Sequence, residues 1–313
     1  MLTNTQLQFY DSNVLRLPKD KRTEYHAQVD RLIKALSESV RNKTSLKITE
    51  VVKAGSFAKF TILRKTTEDP IDVDVVFYIS GKSAEDETLE SLSDSLFTLL
   101  TELYPSKSVK DFEIQKRATT VNFVGTGLSV DTVPVIEMEG DPPGYGWQFA
   151  TDGSKTKTCS PCAIDFTRAR KDEDAHYRTL VRLVKKWRNY REIKPLKSFV
   201  IELILAHLLD TKGSDGKIEQ KLRDFFLYVA QSGLKETITF PENGGQVGSF
   251  NDPVVIVDPV NGDNNTAARI TEAERTDIVA EARRAWETSS FASVEGDPSV
   301  LKEIFGPRFK TED

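Results

Sequence analysis

Three aspartates set the chemistry open to this chain. Asp72 and Asp74 lie in the apolar run Ile71–Ile79 (IDVDVVFYI), and Asp131 lies in a second run, Leu128–Ile136 (LSVDTVPVI). A strand alternates its side chains between faces, so Asp72 and Asp74 point the same way, one pleat apart. If the run around Asp131 lies beside that strand, three carboxylates converge. Hard oxygen donors of this kind hold Mg²⁺, and a pair of such ions activates an attacking hydroxyl and neutralises a triphosphate. Gly55-Ser56 precedes the acidic strand. A turn there lets backbone N–H groups approach phosphate oxygens closely. The combination predicts nucleotidyl transfer.

The elements that must position these residues are legible in the apolar spacing. Val29, Leu32, Ile33, Leu36 and Val40 predict an amphipathic helix over 22–41, and the stripe from Leu89 to Leu103 predicts another over 85–104. Leu46–Ala54 reads as a short strand or helix end feeding the Gly-Ser turn. Ile71–Ile79, Phe112–Val124 and Leu128–Glu137 read as strands, with Val73, Val75 and Phe77 on the face opposite the aspartates. Asp141–Gly146 is turn-rich and Thr151–Thr158 is polar, so this stretch reads as a rim or inter-domain loop. Beyond it the spacing predicts helices over 172–190, 198–210, 217–231 and 271–289. The fold class expected is α+β: a small mixed sheet with helices against it over 1–165, and a helical domain over 166–313.

Composition narrows the function classes. With 313 residues, 38% hydrophobic and 29% charged, the chain can bury a core. No apolar run is long enough to span a bilayer and the first residues lack a signal-peptide pattern, so no membrane association and a cytoplasmic location are expected. A net charge of −5 argues against a general binder of long duplex DNA. Positive charge is local instead, crowded between Arg178 and Lys197. Arg178, Arg182 and Lys185 fall on one helical face, which suits either a solvated surface or a triphosphate-facing wall. Cys159 and Cys162 make neither a disulfide framework nor, without two further ligands, a zinc site.

The order Gly55-Ser56, Asp72-x-Asp74 and Asp131 resembles the polymerase-β-type nucleotidyltransferases. Val181–Trp187 (VRLVKKW), Lys197–Ile204 (KSFVIELI) and Asp258–Asn265 (DPVNGDNN) are similar to elements of oligoadenylate synthases and bacterial CD-NTases. The likeness spans most of the chain and is strongest to the CBASS anti-phage branch that makes cyclic trinucleotides. Two departures stand out. Phe60-Thr61 occupies the place where the family commonly has Gly-Thr, and Lys65–Pro70 lengthens the connection to the acidic strand.

What the resemblance implies is an Mg²⁺-dependent enzyme that joins NTPs, chiefly ATP, into a cyclic oligonucleotide, with cyclic tri-adenylate as the expected product. Asp72, Asp74 and Asp131 would hold two Mg²⁺ ions, with Mn²⁺ as a substitute, and Asp131 would lie on the acceptor side. Gly55 and Ser56 would contact the β- and γ-phosphates. Lys185 and Ser198 would contact the donor triphosphate, and Phe199 would either stack on the donor base or pack in the core. Asn264 and Asn265 would hydrogen-bond backbone or nucleotide, or cap a helix start, with capping the favoured reading. Implied partners are a HORMA-domain regulator, an AAA+ ATPase and a duplex DNA activator, with an effector nuclease acting through the product. Two other readings share these residues: a template-independent RNA or tRNA nucleotidyltransferase, and a nucleotide-binding regulatory scaffold. Acidic net charge weighs against the first, and the intact carboxylates weigh against the second.

Overall fold

The computed structural model describes residues 4–64, 71–80, 89–138, 143–149 and 154–312. The chain divides into two compact units, one of Leu17–Phe60 and Arg64–Asp165, the other of Met1–Arg16, Thr61–Leu63 and Phe166–Asp313. The N-terminal segment and Thr61–Leu63 thus join the helical unit, where a simple division into 1–165 and 166–313 was expected. The reason is local: Leu7, Tyr10 and Leu15 are buried in the helical core, and Thr61 is held there by buried hydrogen bonds.

The first unit is built on a sheet. Its strands are β1 (Lys47–Lys53), β2 (Ile71–Ser80), β3 (Phe112–Ile114), β4 (Thr119–Phe123), β5 (Leu128–Glu137), β6 (Tyr145–Phe149) and β7 (Lys155–Cys159). The order is β1-β2-β5-β4-β3, with β6 pairing the end of β5 and β7 pairing β6. Among the described strand pairs of this sheet only β2 and β5 run parallel. That makes β2 and β5 central, and β2 reads accordingly: Val73, Val75 and Phe77 are fully buried on one face, Val76 and Tyr78 on the other. Helix α2 (Lys19–Lys43) buries Val29, Leu32, Leu36 and Val40, and α4 (Leu89–Leu103) buries Leu92, Leu96, Leu99 and Leu100. Between β1 and β2 the short helix α3 spans Gly55–Ala58.

Two sequence readings change here. The single strand expected over 112–124 is two strands, joined by a turn in which the Gln115 amide donates to the Ala118 carbonyl. The stretch read as a loop contains the β6–β7 hairpin. Its aromatic residues alternate as strand residues do, and Lys155 and Lys157 sit over the rings of Trp147 and Tyr145. The longer connection over Lys65–Pro70 lies outside the described residues, as do 85–88 of the expected second helix.

The helical unit contains α1 (Asn4–Tyr10), α5 (Ser160–Glu173, whose first residues belong to the sheet unit), α6 (Tyr177–Tyr190), α7 (Ser198–Lys212), α8 (Ile218–Ser232), α9 (Glu272–Glu295) and α10 (Lys302–Phe305). Helix α7 is apolar nearly all round and lies at the centre of the core, as such a helix must. Trp187 of α6 packs edge-on against Phe226 of α8. The helix expected over 172–190 begins only at Tyr177. Asp174 ends the preceding helix and accepts a hydrogen bond from the His176 amide, a local bond that competes with continued helix. The small hairpin β8 (Val257–Asp258) and β9 (Asn261–Asn265) is pinned by Asn265. That residue donates to Asp252 and Val254 and accepts from the Ile256 and Ala267 amides. Asn264 donates to Asp258. Neither is the expected helix cap: Thr271 caps α9, through a reciprocal box with Glu274.

Candidate active site

The parallel pairing of β2 and β5 places Asp74 directly opposite Asp131, and Asp72 opposite Ser129. Two carboxylates on adjacent central strands therefore meet in register. Asp72 is exposed and lies one pleat along β2, about 7 Å away by strand geometry. Among the described residues no group of three or more His, Cys, Asp or Glu side chains is disposed to hold a metal ion. Asp74 and Asp131 thus form the central pair, with Asp72 alongside on β2.

Electrostatics mark the pair as unusual. Burial pushes the Asp74 carboxyl up to about 6, the Asp131 carboxylate adds to the rise, and Lys59 pulls the other way. Asp131 is also raised, first by burial, while its hydrogen bond from Thr120 Oγ1 (2.6 Å) opposes the rise. Gln115 in turn donates to Thr120 Oγ1 at 2.9 Å, so β4 and its turn fix the rotamer of Asp131. Sequence reading missed Thr120, Gln115 and Lys59. Thr120 could have been found only by knowing that it pairs with Asp131 across β4 and β5.

Gly55 opens α3 with φ +61°, a left-handed conformation suited to glycine. A Cβ there would lie 1.7 Å from Asp74 Oδ2. The Gly-Ser turn and the acidic strand therefore touch, and the Ala54 amide donates to the Asp74 carbonyl at 2.8 Å. The backbone N–H groups of Gly55, Ser56 and Phe57 belong to a first helical turn, whose amides have no acceptor within the helix itself. Phe60, the departure from the family's glycine, has φ +61° as well. The chain keeps the glycine-type backbone while carrying a large side chain, which packs under the Arg22 guanidinium at 4.6 Å.

Within the helical unit the remaining candidates are engaged in protein contacts. Lys185 is buried, and its Nζ donates to Glu202 Oε1 (3.2 Å), Thr61 Oγ1 (3.1 Å) and the Thr61 carbonyl (3.3 Å). This is neither a solvated helical lysine nor an open point charge. The Ser198 hydroxyl accepts from Arg188 Nη1 at 3.1 Å. Phe199 is half-buried against the helical core.

A central mixed sheet bearing paired aspartates behind a Gly-Ser turn, with flanking helices, is the architecture of a polymerase-β-like nucleotidyltransferase. The model of the SMODS family, the Second Messenger Oligonucleotide or Dinucleotide Synthetase domain, matches residues 1–162, and the chain belongs to that family. It is 59% identical over 313 residues to a CBASS oligonucleotide cyclase CdnC of Escherichia coli (strain KTE188), covering 100% of this chain and 99% of that protein. It is 36% identical over 279 residues to the cyclic AMP-AMP-AMP synthase of E. coli (strain MS 115-1), covering 87% and 85% of the two. Its fold matches the solved structure of E. coli MS115-1 CdnC with ATP (TM-score 0.83, 32% identity, 99% of each chain). It also matches the same enzyme in complex with HORMA-deltaN (TM-score 0.82, 32% identity, 99% of this chain and 98% of that one). The chain is an enzyme, a nucleotidyltransferase of the CD-NTase class with a CBASS cyclic-oligonucleotide role. Among the described residues no helix is long and apolar enough to cross a membrane.

Proposed function

We propose that this enzyme joins ATP into cyclic tri-adenylate, using Asp72, Asp74 and Asp131 to hold two Mg²⁺ ions, with Mn²⁺ able to replace them. The observation that carries the reading is the register of Asp74 against Asp131, with Gly55 pressed on the Asp74 carboxylate. The donor set fits a hard divalent cation: every candidate ligand is a carboxylate oxygen, and the central pair is a half-buried like-charge pair that an opposite charge would relieve. When bound, such ions would lower the pKa of the attacking sugar hydroxyl and neutralise the departing pyrophosphate.

The chain's own residues supply the rest. Thr120 holds the Asp131 carboxylate in one orientation, which suits a group that accepts or steers the acceptor hydroxyl proton. Gly55 and Ser56 offer first-turn amides and a hydroxyl to the β- and γ-phosphates. Phe199, half-buried and packed against the helical core, would stack on the donor base. Lys185 and Ser198 would contact the donor triphosphate, as the family resemblance implies, exchanging their present bonds to Thr61, Glu202 and Arg188 for phosphate oxygens. The product assignment draws on the cyclic AMP-AMP-AMP synthase at 36% identity. The HORMA complex of the E. coli MS115-1 enzyme supports a HORMA-type regulator here. The AAA+ ATPase, the duplex DNA activator and the effector nuclease follow from the family resemblance.

The test is incubation of the purified chain with each labelled NTP and Mg²⁺, then phosphatase treatment and mass spectrometry. Phosphatase-resistant cyclic tri-adenylate, made alone or after adding a HORMA protein or duplex DNA, supports the proposal. Label appearing only on added RNA would sink it in favour of RNA tailing.

A further inference from the structure

Cys159 and Cys162 are joined as a disulfide, and no step of nucleotidyl transfer uses them. The two-residue spacing brings their Cα atoms to 5.2 Å, within the range a disulfide needs.

The pair is built asymmetrically. Cys159 ends β7 and immediately precedes α5, a helix of 14 residues. It therefore stands at the helix N-cap, and its Sγ accepts a hydrogen bond from the Cys162 amide at 3.2 Å. That is the bond a capping serine makes, with sulfur in place of oxygen. Cys159 is also almost wholly buried, at 1% exposure, whereas Cys162 is half-buried. Gly144 keeps the buried side open, since a Cβ there would lie 3.3 Å from Cys159 Sγ. The Tyr78 hydroxyl accepts from the Ser160 amide at 3.1 Å, so the helix start is held to the acidic strand without the sulfurs.

We propose that Cys159–Cys162 is a reversible thiol–disulfide site that exchanges with small thiols of the glutathione class, and that Cys162 is the sulfur attacked. The Cys162 amide that already donates to Cys159 Sγ would stabilise a thiolate there, and a better-stabilised thiolate is the faster leaving group. An incoming thiolate attacks the accessible Cys162 Sγ, the Sγ–Sγ bond breaks, and Cys159 leaves as the capped thiolate. A second thiol attacks the first thiol's sulfur, releasing Cys162 and the small-molecule disulfide. Two electrons and two protons pass to the chain, and the reverse sequence reoxidises it. Because the amide cap and the Tyr78 bond survive cleavage, the fold survives both states. Disulfides of this kind, outside a secreted scaffold, are typically redox-responsive rather than structural.

The test uses the full native chain equilibrated in graded ratios of reduced to oxidised glutathione. Thiols are counted by maleimide–polyethylene glycol labelling, and the mixed disulfide is mapped by peptide mass spectrometry. The expected result is reversible interconversion between none and both thiols labelled, with unchanged circular dichroism and glutathione trapped on Cys162. In Cys159→Ser the remaining thiol should capture glutathione at least about ten times faster than in Cys162→Ser, as the difference in access requires. A pair that resists reduction until the chain is denatured would overturn the proposal, as would glutathione mapped to Cys159. The wild-type mapping decides the question even if a serine variant fails to fold.

Discussion

The sheet centre and the helical core both contain buried charge, and they treat it in opposite ways. In the helical unit the most deeply buried charges are matched. Asp11 receives Arg182 Nε at 2.6 Å, Arg182 Nη2 at 2.7 Å and Thr179 at 2.9 Å. Burial alone would raise Asp11, but the hydrogen bonds and charge of Arg182, helped by Arg16, outweigh it and hold the carboxyl below its ordinary range. Lys185 meets Glu202, and Arg170 meets Asp210 and Glu242. At the sheet centre, Asp74 and Asp131 face each other in register, and both are pushed upward. Charge that is fully paired specifies architecture. Charge left in excess is available to a cation and a substrate, and it costs stability until one arrives.

Neutralising substitutions test this contrast most directly. Asp74→Asn and Asp131→Asn should each lower product formation by roughly 1,000-fold, equivalent to about 4 kcal/mol of transition-state stabilisation. Asp74→Asn should also raise stability by about 1–2 kcal/mol in urea denaturation, after allowing for solvent screening of a half-buried site. Product at near wild-type rates in either variant would remove these residues from the site.

The helical pairs should show the reverse pattern. Asp11→Asn leaves Arg182 buried without its anion, and Lys185→Met leaves Glu202 without its cation. Each should cost about 3–5 kcal/mol of unfolding free energy. A double-mutant cycle on Lys185 and Glu202 separates anchoring from nucleotide binding. If Lys185→Met unfolds at the same urea concentration as wild type yet raises the KM for ATP steeply, the lysine is a triphosphate ligand after all.

Gly55→Ala combines a clash with Asp74 Oδ2 and a left-handed backbone. It should reduce turnover by at least about tenfold through displacement of the Asp74 carboxylate, read as kcat with folding monitored in parallel.

The pH dependence distinguishes the two regions by sign. Asp74 holds its proton to about 6 in the folded chain but releases it near 3.8 when unfolded. Its contribution to stability is therefore lost as pH rises between those values. Turnover should move the other way, increasing as Asp74 ionises, and Asp131→Asn should shift that rise to lower pH. Asp11, whose folded value is lowered, contributes stability above the ordinary carboxylate range, lost as pH falls through its depressed value. The smallest effect is expected at Phe60. Phe60→Gly relieves the left-handed backbone at φ +61°, a gain of about 1 kcal/mol set against the lost stacking on Arg22.

How much of this was legible in the sequence depends on the range of the interaction. β2 and β5 could be read because their period-two apolar patterns are local, and Asp72 and Asp74 had to share a face. The β6–β7 hairpin could not, because Pro142, Pro143 and three glycines suggested a loop, while its strand character comes from pairing with the end of β5. Helix α1 carries too short a pattern to distinguish it, and its place is fixed by contacts with residues far along the chain, such as the Ile218 amide donating to Asn4.

The sequence by itself determined the acidic strand, the Gly-Ser turn and the family, since each depends on residue types at short, fixed spacing. Only the tertiary structure decided that Asp74, not Asp72, pairs with Asp131, that Thr120 orients the latter, and that Lys185 is locked to Thr61 and Glu202. Those outcomes depend on strand register and on side chains brought together across many residues. Register and burial set distances and local dielectric, and neither quantity is written in the order of residues along the chain.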